Sequence, residues 1–114
     1  MFSIFVKVNV PPDQQSEYIE KIKELVKQSE AHEPRTLSLE FYKNDAGEFI
    51  VRDTYQDSEA FLAHLENVGE IVGAMSEIGS STETLIFGSP NDLIRQRLSA
   101  LGAQFFDSIA GFTR

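Results

Sequence analysis

Apolar Phe2, Ile4, Val6, Val8 and Val10 alternate with Ser3, Phe5, Lys7 and Asn9, a period of two that predicts a strand. Pro11-Pro12 ends it, because proline cannot donate to a ladder. Asp13 then offers a cap for a helix reaching about Ala31. Tyr18, Ile22, Leu25 and Ser29, with Ile19 and Val26 beside them, form one apolar stripe, and Glu17, Glu20, Lys21, Lys23, Glu24 and Lys27 form the solvated face. Pro34 closes the segment, since the residue before proline avoids helical torsions.

Thr36 to Lys43 and Phe49 to Tyr55 predict two strands joined at Asn44-Asp45-Ala46-Gly47, where glycine meets a positive φ easily. Asp57 caps a second helix with Phe61, His64, Leu65 and Val68 on one side. Gly69 marks a break or bend, and Ile71, Val72, Met75 and Ile78 continue the pattern to Gly79-Ser80-Ser81. Thr82 to Phe87 is the fourth strand. Ser89 as cap and Pro90 at the first position open a third helix carrying Leu93, Ile94, Leu98 and Leu101. Beyond Gly102 the chain is apolar without clear period.

The order β-α-β-β-α-β plus a helix predicts an α+β, ferredoxin-like split βαβ fold, with residues 1–88 as its body and 89–114 as a C-terminal helical extension of the same domain. Helices then lie on one face of a four-stranded antiparallel sheet. Apolar residues on both sheet faces ask for a cover over the other, and a homodimer packing two sheets face to face supplies one, with Phe5, Leu39 and Val51 as contributors. The third helix is expected on the partner subunit or across the barrel rim.

Composition narrows the partners. In 114 residues, 18 acidic against 10 basic side chains give a net charge of −8, which argues against nucleic acid and anionic membranes. No cysteine is present, so disulfides, thiol catalysis and thiolate metal sites are excluded. No apolar run approaches the ~20 residues of a membrane span, and the N-terminal segment lacks a basic region before its apolar stretch. The expectation is a soluble, cytoplasmic protein.

Several of these segments together resemble the antibiotic-biosynthesis-monooxygenase-type family of dimeric α+β barrels. They are Val10-Pro11-Pro12, Glu33-Pro34-Arg35-Thr36, Leu39-Glu40-Phe41-Tyr42, the passage Asp53-Thr54-Tyr55-Gln56-Asp57-Ser58-Glu59-Ala60-Phe61, and His64. The resemblance covers about residues 1–88. It implies a homodimer and a small-molecule pocket, and, for an enzyme, oxidation of a small aromatic, phenolic or quinol substrate with no cofactor. The alternative it leaves is a non-catalytic barrel that binds a small apolar ligand or a protein partner. There are departures: Arg35 stands where members commonly have glycine, Tyr55 where tryptophan is frequent, and Val68-Gly69-Glu70 where many carry a second histidine. The heme-degrading branch would place its Asn, Trp and His near Val6, His64 and Ala74, and alanine cannot ligate iron.

His64 is the candidate catalytic residue, since histidine's ordinary pKa near 6.5 suits proton abstraction at neutral pH. The plainer account makes it a core histidine bonded to a backbone carbonyl or to Asp53. Tyr55, Arg52, Tyr42 and Phe61 are candidates for the substrate pocket. For Arg52, an ion pair with Glu40 across the hairpin competes with that role. For Arg35, a structural role competes with clamping an anion. His32-Glu33 and His64-Leu65-Glu66 lack the spacing of a metal site. No P-loop, Rossmann glycine pattern or G-x-S-x-G occurs.

Overall fold

The first alternating run becomes strand β1, Phe2–Asn9, in a computed structural model that describes residues 1–114. A 3-10 turn at Pro12–Gln14 leads into helix α1, Gln15–His32, so Asp13 sits inside this turn and does not cap the helix. The hairpin of β2 (Thr36–Lys43) and β3 (Glu48–Tyr55) follows. In its turn Asn44 Oδ1 accepts from the Glu48 amide at 3.0 Å and Gly47 has φ +82°.

Helix α2 is one unbroken element, Ser58–Ile78, capped by Asp57, whose carboxylate accepts from the Ala60 amide at 2.8 Å. The break expected at Gly69 does not occur. The inward stripe Val68, Ile71 and Met75 continues straight past Gly69 and Gly73, so packing outweighs the roughly 1 kcal/mol that glycine costs a helix. Strand β4, Ser80–Gly88, begins two residues after the helix ends.

Helix α3 spans Asp92–Ala100, and its cap is Asn91, not Ser89: Asn91 Oδ1 accepts from the Ile94 amide at 3.0 Å. Ser58 Oγ accepts from the Asn91 amide at 2.8 Å, tying the starts of α2 and α3 together. A short strand β5, Gln104–Phe106, then pairs parallel with β4. The sheet therefore has five strands, ordered β2-β3-β1-β4-β5, and not four. The four expected strands, β2, β3, β1 and β4, pair antiparallel.

Register assigns side chains to faces, because directly paired residues point the same way. Ile4 pairs with Asp53 and Ile86, and Asp53 pairs with Leu39; Val6 pairs with Val51, and Val51 with Phe41. All of these face the helices. Leu39 and Val51 are therefore not on the opposite face, where the dimer expectation had put them; parity in the pleat decides it. Phe5 does lie there, in edge contact with Phe87, which stacks on Phe106.

Two hydrophobic clusters lie between helices and sheet. One gathers Phe2, Ile4, Tyr55, Ala60, Phe61, Ile86, Ile94 and Leu98. The other gathers Val8, Val10, Tyr18, Leu25, Phe49, Val68, Ile71 and Met75. Val6 packs against both. Helix α3 thus docks on its own chain through Ile94 and Leu98. Leu93 and Leu101, expected in the same buried stripe, are exposed. No helix is long and apolar enough to cross a membrane.

Candidate functional site

Pro34 holds Glu33 out of helical torsions, and Glu33 ends α1 at φ −126°, ψ 76° with its amide bonded to Ser29 O. Its side chain is 3% exposed and meets His64 of α2, Nδ1 to Oε1 at 2.6 Å. Thr36 Oγ1 donates to the same carboxylate oxygen at 2.7 Å, and Asn67 Nδ2 donates to Oε2 at 2.7 Å. Gln28 Nε2 in turn donates to the Asn67 backbone carbonyl at 2.7 Å. Burial alone would push the Glu33 carboxyl up. The hydrogen bonds from Asn67, Thr36 and His64, with the histidine's charge, outweigh it and hold the carboxyl below its ordinary value.

An ionised carboxylate only accepts, so His64 Nδ1 carries the hydrogen and donates. That fixes the neutral ring's tautomer and leaves Nε2 as the basic nitrogen. His64 also lines a cavity of about 610 Å³ between the sheet and α2. The cavity runs between the two hydrophobic clusters, with Val6, Phe41, Val51, Phe61, Leu65 and Met75 among its walls. The space beside His64 is therefore open, and Phe61 and Met75 bound it without filling it.

Asp53 is the second polar group in these walls. Positions 49, 51, 53 and 55 of β3 point inward, and Asp53 stands among Phe49, Val51 and Tyr55 where an apolar residue would ordinarily sit. The Tyr55 hydroxyl donates to Asp53 Oδ2, while Oδ1 is buried without a protein partner. Burial is the main reason the Asp53 carboxyl is pushed up to about 6, against the Tyr55 hydrogen bond and the nearby His64 charge. The Tyr55 hydroxyl is itself pushed far up, first by burial and then by the Asp53 charge.

Of the sequence candidates, His64, Tyr55 and Phe61 come together: the Tyr55 ring lies 5.1 Å from Phe61 and 5.4 Å from His64. Arg52 and Tyr42 do not join them. Both lie on the opposite sheet face, where Arg52 pairs with Glu40 at 2.8 Å and its guanidinium stands 5.6 Å from the Tyr42 ring. Strand parity separates Arg52 from Asp53 and Tyr55. Arg35 has the structural role, bonded to Asp57 at 3.0 Å beside the cap of α2. The partner of His64 is Glu33, not Asp53. The sequence names Glu33 in the family-like segment before β2 but does not pair it with His64, because the two are 31 positions apart. Asp53 had a visible signal, an acidic residue in phase with an apolar strand face.

The five-stranded sheet with helices packed on one face defines an α+β protein of ferredoxin-like type. Residues 1–69 match the model of the family described as antibiotic biosynthesis monooxygenase, and the chain belongs to that family. Among solved structures it is similar to MupZ from Pseudomonas fluorescens, at 21% identity and TM-score 0.86 over 99% of this chain and 93% of that one. An antibiotic biosynthesis monooxygenase is similar at 16% identity and TM-score 0.67, over 80% of this chain and all of that one. HapK from Hahella chejuensis is similar at 16% identity and TM-score 0.64, over 81% and 94%. At these identities the likeness speaks for fold. The match to MupZ takes in the C-terminal extension as well. A comparison with curated proteins gives no match.

Proposed function

We propose that this protein is a cofactor-independent monooxygenase acting on a small aromatic phenol or quinol, with His64 as general base. The observation that carries the reading is the His64–Glu33 pair set in the wall of a mainly apolar cavity. A volume of about 610 Å³ falls within the roughly 300–1,000 Å³ usual for small-molecule sites. His64 Nε2 would take the hydroxyl proton, and Glu33 would stabilise the imidazolium through Nδ1–H. The phenolate so formed is electron-rich enough to pass one electron to dioxygen, which closed-shell molecules otherwise meet slowly. Radical recombination at a ring carbon gives a hydroperoxide. Loss of water then leaves a ring carbonyl, so phenol plus dioxygen yields quinone plus water, one oxygen atom going to each product. Family membership supports the reaction class.

The active form in this reading is a homodimer. Phe5, Leu85, Phe87 and Phe106 make an apolar area on the sheet face away from the helices, flanked by the Arg52–Glu40 and Lys7–Glu48 pairs. A second copy covering it buries that area, and Arg52 and Tyr42 then serve the interface and not the pocket. Oxygen uptake across a panel of naphthols, anthrols and quinols, with ¹⁸O₂ and mass spectrometry of the product, tests the reaction. The expected result is uptake with at least one member and one labelled oxygen in its product. Saturable binding with no uptake across the panel would replace this reading with that of a ligand-binding barrel.

A further inference from the structure

The cavity wall carries a donor that the proposed proton transfer does not use, the Tyr18 hydroxyl of α1. The residue is 5% exposed, and an edge contact with Phe49 at 5.1 Å holds its ring. Burial pushes the hydroxyl's pKa up and no hydrogen bond offsets it, so the group stays protonated and able to donate at neutral pH. The polar side-chain atoms sealed off without a partner are Ser29 Oγ and Asp53 Oδ1. The Tyr18 hydroxyl is neither, and so keeps accessible surface within a buried residue. Buried tyrosine hydroxyls usually find a partner, and a free one in a cavity wall is placed to find it in a ligand. Tyr18 and His64 mark different ends of this cavity. A Cβ built on Gly79, just past α2, would lie 3.2 Å from Tyr18 Cε1, which sets the ring beside the end of that helix. From His64 to Gly79 the helix advances about 22 Å at roughly 1.5 Å per residue. The ends also differ in chemistry. His64 Nε2 accepts at one. At the other, Tyr18 is joined by Ser81 and Thr84 of β4, which pair with Val8 and Val6 and line the same cavity.

We infer that the Tyr18 hydroxyl donates a hydrogen bond to a carbonyl oxygen of the substrate, at the end remote from the hydroxyl that His64 deprotonates. This rests on the reading of the cavity as a phenol site and narrows the class within it to elongated hydroxyaryl ketones, held in one direction. The direction follows from the unlike anchors. A carbonyl set at His64 meets a nitrogen with no hydrogen to give, because the neutral ring's single hydrogen is on Nδ1 and committed to Glu33. Tyr18 is in this sense a binding and orienting residue, and the proton transfer itself does not pass through it.

The experiment is calorimetric titration at neutral pH with 6-acetyl-2-naphthol and 4-acetyl-4′-hydroxybiphenyl, each beside the ethyl compound in which a methylene replaces the carbonyl. Tyr18→Phe keeps the ring and its contact with Phe49. It should weaken at least one ketone by about three- to tenfold, the scale of one neutral hydrogen bond, and leave the ethyl counterpart unchanged. The carbonyl stretch of that bound ketone, read by infrared difference spectroscopy, should lie below its value in an apolar solvent with the unaltered protein and rise in Tyr18→Phe. An unshifted stretch in the unaltered protein overturns the inference without recourse to any variant. So does a Tyr18→Phe protein that binds both ketones as the unaltered protein does, which would give the carbonyl to Ser81 or Thr84, or one that weakens ketone and ethyl compounds alike. Binding by none of these compounds overturns it as well. If the ketone effect depends on Tyr18 but neither these compounds nor the phenol panel takes up oxygen, the oxygenase reading fails and the role of Tyr18 stands. If phenols are oxidised and Tyr18→Phe spares the ketones, the oxygenase reading stands and the role of Tyr18 falls.

Discussion

His64 combines two properties on which its proposed role as base rests: one ring nitrogen is tied to a buried carboxylate, and the ring itself lines an open volume. The carboxylate keeps its charge because Asn67 and Thr36 donate to it as well. Glu33→Gln retains an acceptor but removes the charge that stabilises the imidazolium. It should lower kcat by about 10–100-fold, the usual cost of losing such an orienting partner, with the rate measured by oxygen uptake. Asp53 acts on stability in the opposite sense from Glu33. Its folded value of about 6 lies above the ordinary 3.8, so the folded state binds the extra proton between those values. Stability attributable to Asp53 is therefore full below about pH 4 and is lost as pH rises through 6. The difference is of order 3 kcal/mol at neutral pH. Glu33, held below its ordinary value, contributes stability above pH 4.5 that is lost as pH falls further. Asp53→Asn should thus flatten the melting-temperature profile between pH 4 and 6.5 and raise it at pH 7.5. An unchanged slope would show that Asp53 does not govern that window.

At the scale of elements, the sequence reading and the structure agree where a strong period met a clear stop signal. β1, the β2–β3 hairpin and the Asp57-capped α2 were legible for that reason. The misses have local causes. Gly69 looked like a break, yet the packing of Val68 and Ile71 carries the helix through it. Asn91, not Ser89, caps α3, since a sequence offering Ser, Pro and Asn in succession leaves the choice to tertiary contacts such as Ser58 with the Asn91 amide. Strand β5 has three residues, too few to show a period, and its pairing is parallel to a strand 19 positions earlier, Leu85 with Gln104. Parity within β3 and β2 could have removed Arg52 and Tyr42 from the pocket; the His64–Glu33 pairing could not be read without the three-dimensional approach of α1 and α2. For α3, Ile94 is fully buried among Phe2, Ile4 and Ile86. Ile94→Ala should cost about 2–5 kcal/mol by urea denaturation, and truncation after Gly88 should cost more, because Leu98 is lost too. A truncated chain that melts like the whole would show that α3 is not part of the core.

For the whole molecule, one sheet face is committed to the helices and the cavity, and the other carries Phe5, Phe87 and Phe106 into solvent. An isolated apolar surface of this kind is uncommon on a monomer. Light scattering at micromolar concentration should give twice the chain mass of 12.8 kDa, with an interface of about 1,600 Å² or more. Phe5→Asp should shift the mass toward the monomer while leaving the cavity on the far side intact.

The proposed reaction turns on one proton transfer, and His64→Ala isolates it. The variant loses one of Glu33's three partners while Asn67 and Thr36 remain, so it should stay folded at a cost of about 1–3 kcal/mol. Oxygen uptake with the best phenolic substrate, measured on folded variant and unaltered protein side by side, should fall by about 10²–10⁴-fold. A folded His64→Ala protein that consumes oxygen at the unaltered rate would contradict the assignment of His64 as the base.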